Sequence, residues 1–253
     1  MNKLPQITLA FWVMKICATT LGETAGDLLS MTLNIGYALS SLLLISLFIL
    51  SLLGQLSARG YKPALYWTVI LMTSTAGTTI SDFMDRTLGL GYASGSLILI
   101  SLLASVLLVW RLTEKSLSVE HIVSRRAELF YWGAILVSNT LGTALGDYLA
   151  DDSGLGFAGG ALLIGSLLAV VAAAHYRTHL SRVALFWVAF VLTRPFGATL
   201  GDVLTKSTDK GGLDLGTVGS SAVLLTTLTV LVCFAILAQQ KRSAPMAVRI
   251  NRS

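Results

Sequence analysis

Four aspartates stand out for their spacing: Asp27, Asp82, Asp147 and Asp202 each follow a tryptophan (Trp12, Trp67, Trp132, Trp187) by fifteen residues. Counted along a helix from the tryptophan, positions three, seven, eleven and fifteen fall on one face, drifting by about 40° per step. The first copy of this line reads Lys15, Thr19, Glu23, Asp27, and the second Ile70, Ser74, Thr78, Asp82. The third reads Ile135, Asn139, Thr143, Asp147, and the fourth Phe190, Arg194, Ala198, Asp202. Four aspartates at one depth with Glu23 a turn deeper make a cluster of carboxylate oxygens. Hydroxyls, an amide and backbone carbonyls are the other donors on offer.

Hard oxygen donors suit manganese, magnesium or calcium, whereas thiolate and imidazole suit copper or zinc. His121, His175 and His179 fall in or beside loops, and Cys17 and Cys233 lie inside apolar runs, read as small core residues with no disulfide. Manganese or magnesium is therefore the expected ion. Monovalent cations and protons stay as alternatives, since carboxylate rings select cations in general. A charge in hydrocarbon costs at least about 2.5–3.5 kcal/mol on insertion scales, so five carboxylates at this spacing call for counter-ions or a ligand. A Glu23–Arg194 pair is the structural expectation for two of the charges.

The elements that must position these groups are apolar helices. Hydrophobic residues make up 54% of the 253 and charged residues 12%, which a water-soluble domain does not tolerate. The tryptophan stretch opens a unit that recurs at 9–56, 64–111, 127–176 and 183–239. Each unit holds two runs of roughly 20 residues, the length that crosses about 30 Å of hydrocarbon. The second run is entered through Gly36, Gly91, Gly156 and Gly216, the last about five residues late, which lengthens the final external loop. The fold class is all-α: eight transmembrane helices from four parallel repeats, in pseudo-fourfold or two-plus-two packing, with odd helices inside. Residues 1–240 form one domain and 241–253 a loose cytoplasmic tail.

Small residues at positions ten and fourteen (Gly22 and Gly26, Gly77 and Ser81, Gly142 and Gly146, Gly197 and Gly201) should let odd helices approach closely. Pro195 sits inside the fourth odd run and is expected to kink it. Basic residues gather at the N-terminus, in the loops after even runs and in the tail, leaving only Arg86, Lys206 and Lys210 on the opposite side. Both termini are therefore placed in the cytoplasm, and the first run is read as retained rather than as a cleaved signal. With the tryptophans near the cytoplasmic interface, the aspartates lie about 22 Å across, toward the outside.

The aromatic-tryptophan pairs opening each unit (Phe11-Trp12, Tyr66-Trp67, Tyr131-Trp132, Phe186-Trp187) resemble a repeat family of bacterial membrane proteins of unassigned function. The resemblance covers 9–238 and implies an eight-span inner-membrane protein, with no activity or binding residues attached. Lys15, Glu23, Arg194, Pro195, Ala198 and the longer last loop depart from repeat symmetry.

The expected function is a cation transporter, most specifically a divalent-metal (Mn/Mg) exporter, exchanging with protons. Asp27, Asp82, Asp147, Asp202 and Glu23 are the expected ligands. Thr24, Thr79, Thr199 and Asn139 support them, and Arg194 and Lys15 fill the empty site. The rival is a proton-coupled carrier of a small organic solute with Arg194 as its anion-binding group. An enzyme is not expected, because there is no intramembrane histidine, HExxH, GxSxG or phosphate-cradling loop. No cofactor is expected, and the partners are lipid, the transported cation and a second copy of the chain, with no nucleic acid.

Overall fold

The computed structural model describes residues 3–119, 122 and 124–250, with side chains through Lys241; His121 and residues 251–253 lie outside the described residues. Among the described residues the chain forms eight α-helices and no strand. They are α1 (Leu9–Asp27), α2 (Tyr37–Ser57), α3 (Pro63–Asp82), α4 (Tyr92–Glu114), α5 (Arg125–Asp147), α6 (Gly156–Arg177), α7 (Arg182–Thr205) and α8 (Thr217–Ile250). Helix α8 thus extends through most of the stretch read from sequence as a tail. Side-chain oxygens of Thr8, Ser124 and Ser181 cap α1, α5 and α7, and Pro63 opens α3 where its missing N–H costs nothing.

Helix α1 packs on α3 and α7, α3 on α5, and α5 on α7, so the four odd helices close a ring. Each even helix covers the odd helix that follows it: α2 on α3, α4 on α5, α6 on α7, and α8 back on α1. The even helices turn leucines, isoleucines and valines outward, as at Leu42, Leu97, Leu162 and Val223. Among the described residues five helices, α2, α4, α6, α7 and α8, are long and apolar enough to cross a membrane; α1, α3 and α5, like α7, carry a polar stripe inward. The chain is a membrane protein built of internal repeats.

The glycines make the ring tight. A β-carbon on Gly22 would strike Ser74, and one on Gly77 would lie 2.9 Å from the backbone of Asn139; Gly142 meets Arg194 and Gly197 meets Thr19 in the same way. Position ten of every repeat thus receives position seven of the next, and the fourth repeat closes onto the first. That is close helix approach through small residues.

The tryptophans pack against one another's repeats. Trp67, Trp132 and Trp187 are buried. The aromatic residue of each repeat packs on the tryptophan of the next, with ring centroids 5.7 Å apart for Phe11–Trp67, 5.6 Å for Tyr66–Trp132 and 6.4 Å for Tyr131–Trp187. Phe186 and Trp12 complete the circle at 5.8 Å. A hydrogen bond of 2.7 Å joins the Tyr66 and Tyr131 hydroxyls within it. This aromatic layer closes the tryptophan end of the bundle.

At the other end, α1, α3 and α5 each pass at the aspartate into one π-helical turn, Leu28–Thr32, Phe83–Thr87 and Tyr148–Asp152. Helix α7 has none; its longer connection carries a 3₁₀ turn, Thr208–Lys210. Gly36, Gly91, Gly156 and Gly216 take positive φ at the start of the even helices, which explains why glycine recurs there. Pro195 lies within α7 without ending it.

Candidate functional site

The polar stripes face the ring interior in three layers. Nearest the aromatic layer, Lys15 is fully buried; its Nζ donates to Asn139 Oδ1 at 3.4 Å and lies 4.1 Å from the centre of the Phe190 ring. The Asn139 amide in turn donates to Thr73 Oγ1 at 2.9 Å. Lys15 therefore sits beside an amide and an aromatic face at the tryptophan end of the stripe, as its position predicts, and among the described residues has no carboxylate partner with which to fill the empty site.

The middle layer is the Arg194–Glu23 pair. Both terminal nitrogens of Arg194 donate to Glu23 Oε2, at 3.0 and 2.9 Å, and Nη2 also donates to Thr78 Oγ1 at 2.6 Å and Thr143 Oγ1 at 2.7 Å. Those two hydroxyls donate onward to Glu23 Oε2, at 3.2 and 3.3 Å. Arg194 is fully buried and Glu23 nearly so. An ion pair taken out of water needs such extra partners to offset desolvation.

The third layer holds the four aspartates, all buried, with two cations the sequence reading missed. Arg86 Nε lies 3.0 Å from Asp82 Oδ1, and its Nη2 lies 3.4 Å from Asp147 Oδ2. Lys206 Nζ lies 2.8 Å from Asp27 Oδ2 and 3.2 Å from Asp202 Oδ1. Each cation stands four residues after the aspartate of its own repeat and reaches across to that of a neighbour. The signal for them in the sequence is this four-residue spacing, which a reading of both as external loop charges does not use. Burial alone would lower their affinity for protons, yet Asp202 and Asp27 hold Lys206 charged above the ordinary lysine range, and Asp82 and Asp147 do the same for Arg86.

The bridges are asymmetric. Each cation keeps its shorter contact for Asp82 or Asp27, and its longer one for Asp147 or Asp202. Those two loosely held carboxylates, with Glu23, place one oxygen each within 4.8 Å of one another. Two oxygens on opposite sides of a hard cation bound at about 2.0–2.6 Å lie about 4–5 Å apart, so three helices converge on a spacing that such an ion fits.

Thr24, Thr79 and Thr199 do not support this site. Thr79 and Thr199 bond backbone carbonyls of their own helices, and Thr24 also accepts from Ser221 of α8. One residue past the stripe is a turn of about 100°, which carries these side chains toward the outer helices. Thr78 and Thr143, on the stripe itself, supply the hydroxyls instead. Cys17 is buried and Cys233 exposed, both as free thiols.

Within the polar interior the ion pairs join the ring helices two by two, while at the tryptophan end Lys3, ahead of α1, pairs with Glu128 of α5 at 2.8 Å. Arg86 ties α3 to α5, while Lys206 and Arg194 tie α7 to α1. In that interior, between the two halves, the polar contacts described above join a charged group on α1 or α7 to a neutral hydroxyl or amide on α3 or α5. Lys15, Glu23 and Arg194 all belong to the α1/α7 half.

No curated protein and no solved structure matches this chain. The family model described as a Repeat of Unknown Function (DUF347) matches four times in tandem, at residues 10–61, 65–116, 130–181 and 185–241. These copies are the four units that carry the stripes, the aspartates and the aromatic circle, and the chain belongs to the DUF347 repeat family.

Proposed function

We propose that this protein is a transmembrane cation transporter that moves a divalent metal, manganese or magnesium, through the carboxylate cluster in exchange for protons. The observation that carries this reading is the convergence of Glu23, Asp147 and Asp202 from three helices, each offering one oxygen within 4.8 Å of the others. Charge supports it. The four ring aspartates and their two tethered cations leave two negative charges when all are ionised, which matches one divalent ion or two protons. Asp27 and Asp82 complete the set by taking the two cations when metal enters.

In this reading all eight helices cross the membrane in pseudo-fourfold, two-plus-two packing, and both termini face the cytoplasm of a bacterial inner membrane. The basic residues of the N-terminus and even-helix loops support that orientation. The cluster then opens outward between the α1/α7 and α3/α5 halves, whose seam holds hydrogen bonds that water can replace. The aromatic layer blocks the cytoplasmic side in the same state. Export is the direction proposed, with no cofactor and no catalytic step.

The rival, a carrier of an organic anion held by Arg194, would first require Glu23 to let go of both terminal nitrogens. Calorimetric titration of purified protein with manganese, magnesium, calcium, zinc and potassium tests the reading. Saturable binding of manganese or magnesium that Asp147→Asn and Asp202→Asn each abolish is the expected result. Absence of binding by every ion in folded protein would reject it.

A further inference from the structure

Trp12 closes the aromatic circle but is its least covered tryptophan. Trp67, Trp132 and Trp187 are buried, but Trp12 is only partly covered, and its open side forms one wall of a cleft of about 750 Å³. Ile16 of α1, Leu168 and Val171 of α6, and Phe186 and Ala189 of α7 supply the other apolar walls. Along α7 the cleft runs from Arg182 to Thr193, eleven residues or about 16 Å, close to the depth of one leaflet of a bilayer about 30 Å thick. Its volume lies in the range of about 300–1,000 Å³ typical of small-molecule sites.

The mouth is basic. His175 and Arg182 line it, and Arg182 Nη1 donates to the His175 carbonyl. From His175 to Arg182 the chain has two arginines, two histidines and no acidic residue. Neither Arg177 nor Arg182 has a carboxylate partner among the described residues. An apolar slot one leaflet deep, capped by uncompensated positive charge on the side of the N-terminus, is complementary to an anionic lipid. Basic pockets between helices on the cytoplasmic side bind such headgroups.

We propose that this cleft holds an acyl chain of an anionic phospholipid, with the phosphate against Arg182 and His175. The lipid completes the wall that the symmetric position has from protein at Trp187, whose indole donates to the Leu117 carbonyl at 3.1 Å and packs on Trp110. The inference rests on membrane embedding with the N-terminus on the cytoplasmic side, as proposed above, and not on cation transport.

Native mass spectrometry of the full chain, released from vesicles of equal phosphatidylglycerol and phosphatidylcholine, tests it. One retained phosphatidylglycerol is expected. Arg182→Gln, at an exposed position that leaves the fold intact, should reduce that retention about fivefold. Ala189→Trp, which fills the slot, should remove it. Equal retention of both lipids, or retention unchanged by Arg182→Gln, would overturn the proposal. Because no flux is measured, failure here would leave the cation reading standing.

Discussion

Arg194 and Glu23 form a closed unit: two guanidinium nitrogens share one carboxylate oxygen at 3.0 and 2.9 Å, and two threonine hydroxyls bridge the same atoms. Breaking such a buried pair from one side leaves an uncompensated charge, at a cost of about 3–5 kcal/mol, whereas removing both charges costs less. Glu23→Gln should therefore lower the melting temperature in detergent more than the double variant Glu23→Gln/Arg194→Gln. A double variant no more stable than either single would mean the pair does not act as a unit.

Helix approach gives a second expectation. A β-carbon on Gly142 would collide with the Arg194 side chain and lie 2.9 Å from the Pro195 nitrogen, while one on Gly133 would meet nothing within 4 Å. Gly142→Ala should destabilise the bundle by about 1–3 kcal/mol through overpacking. Gly133→Ala should be neutral or stabilising. Thermal unfolding of the two variants compares them directly, and equal melting temperatures would contradict the packing described.

Lys206 sets a pH expectation. Burial opposes its charge, but Asp202 and Asp27 raise its affinity for protons above the ordinary value. A lysine raised in the folded state contributes fully below its unfolded pKa of about 10.4, and that contribution is lost only as pH climbs through the higher folded value. The destabilisation by Lys206→Gln should therefore not fade between about pH 7 and about pH 9. A penalty that shrinks across that interval would show that the ammonium is not held charged.

The same cations should compete with substrate. Removing Lys206 or Arg86 as glutamine frees two carboxylates apiece, and manganese should bind about tenfold more tightly, equivalent to ~1.4 kcal/mol of competition relieved. Titration of the two variants against wild type reads this. Weaker binding in both would assign the cations to holding the ligands in place.

The repeat, the all-helical class and the inward polar stripes were legible because a helical period repeated four times leaves little freedom. Arg86 and Lys206 were not, because they were read as loop charges for topology when their four-residue offset from Asp82 and Asp202 marked them as ring partners. Thr24, Thr79 and Thr199 were misplaced by one residue, and one residue on a helix is another face. The spacing of the tryptophans does not say what they touch, and only the packed ring reveals that each lies against an aromatic residue of its neighbour. The level of Lys15 on the stripe was legible but its partners were not, since Asn139 and Phe190 come from two other helices.

The most direct test is manganese flux in proteoliposomes of the purified protein with an imposed proton gradient, comparing wild type with Asp147→Asn and Asp202→Asn. The account predicts gradient-driven flux in wild type and its loss in both variants, with protein folded and correctly inserted. Flux that survives both substitutions, or no flux of manganese or magnesium in active wild-type vesicles, would contradict it.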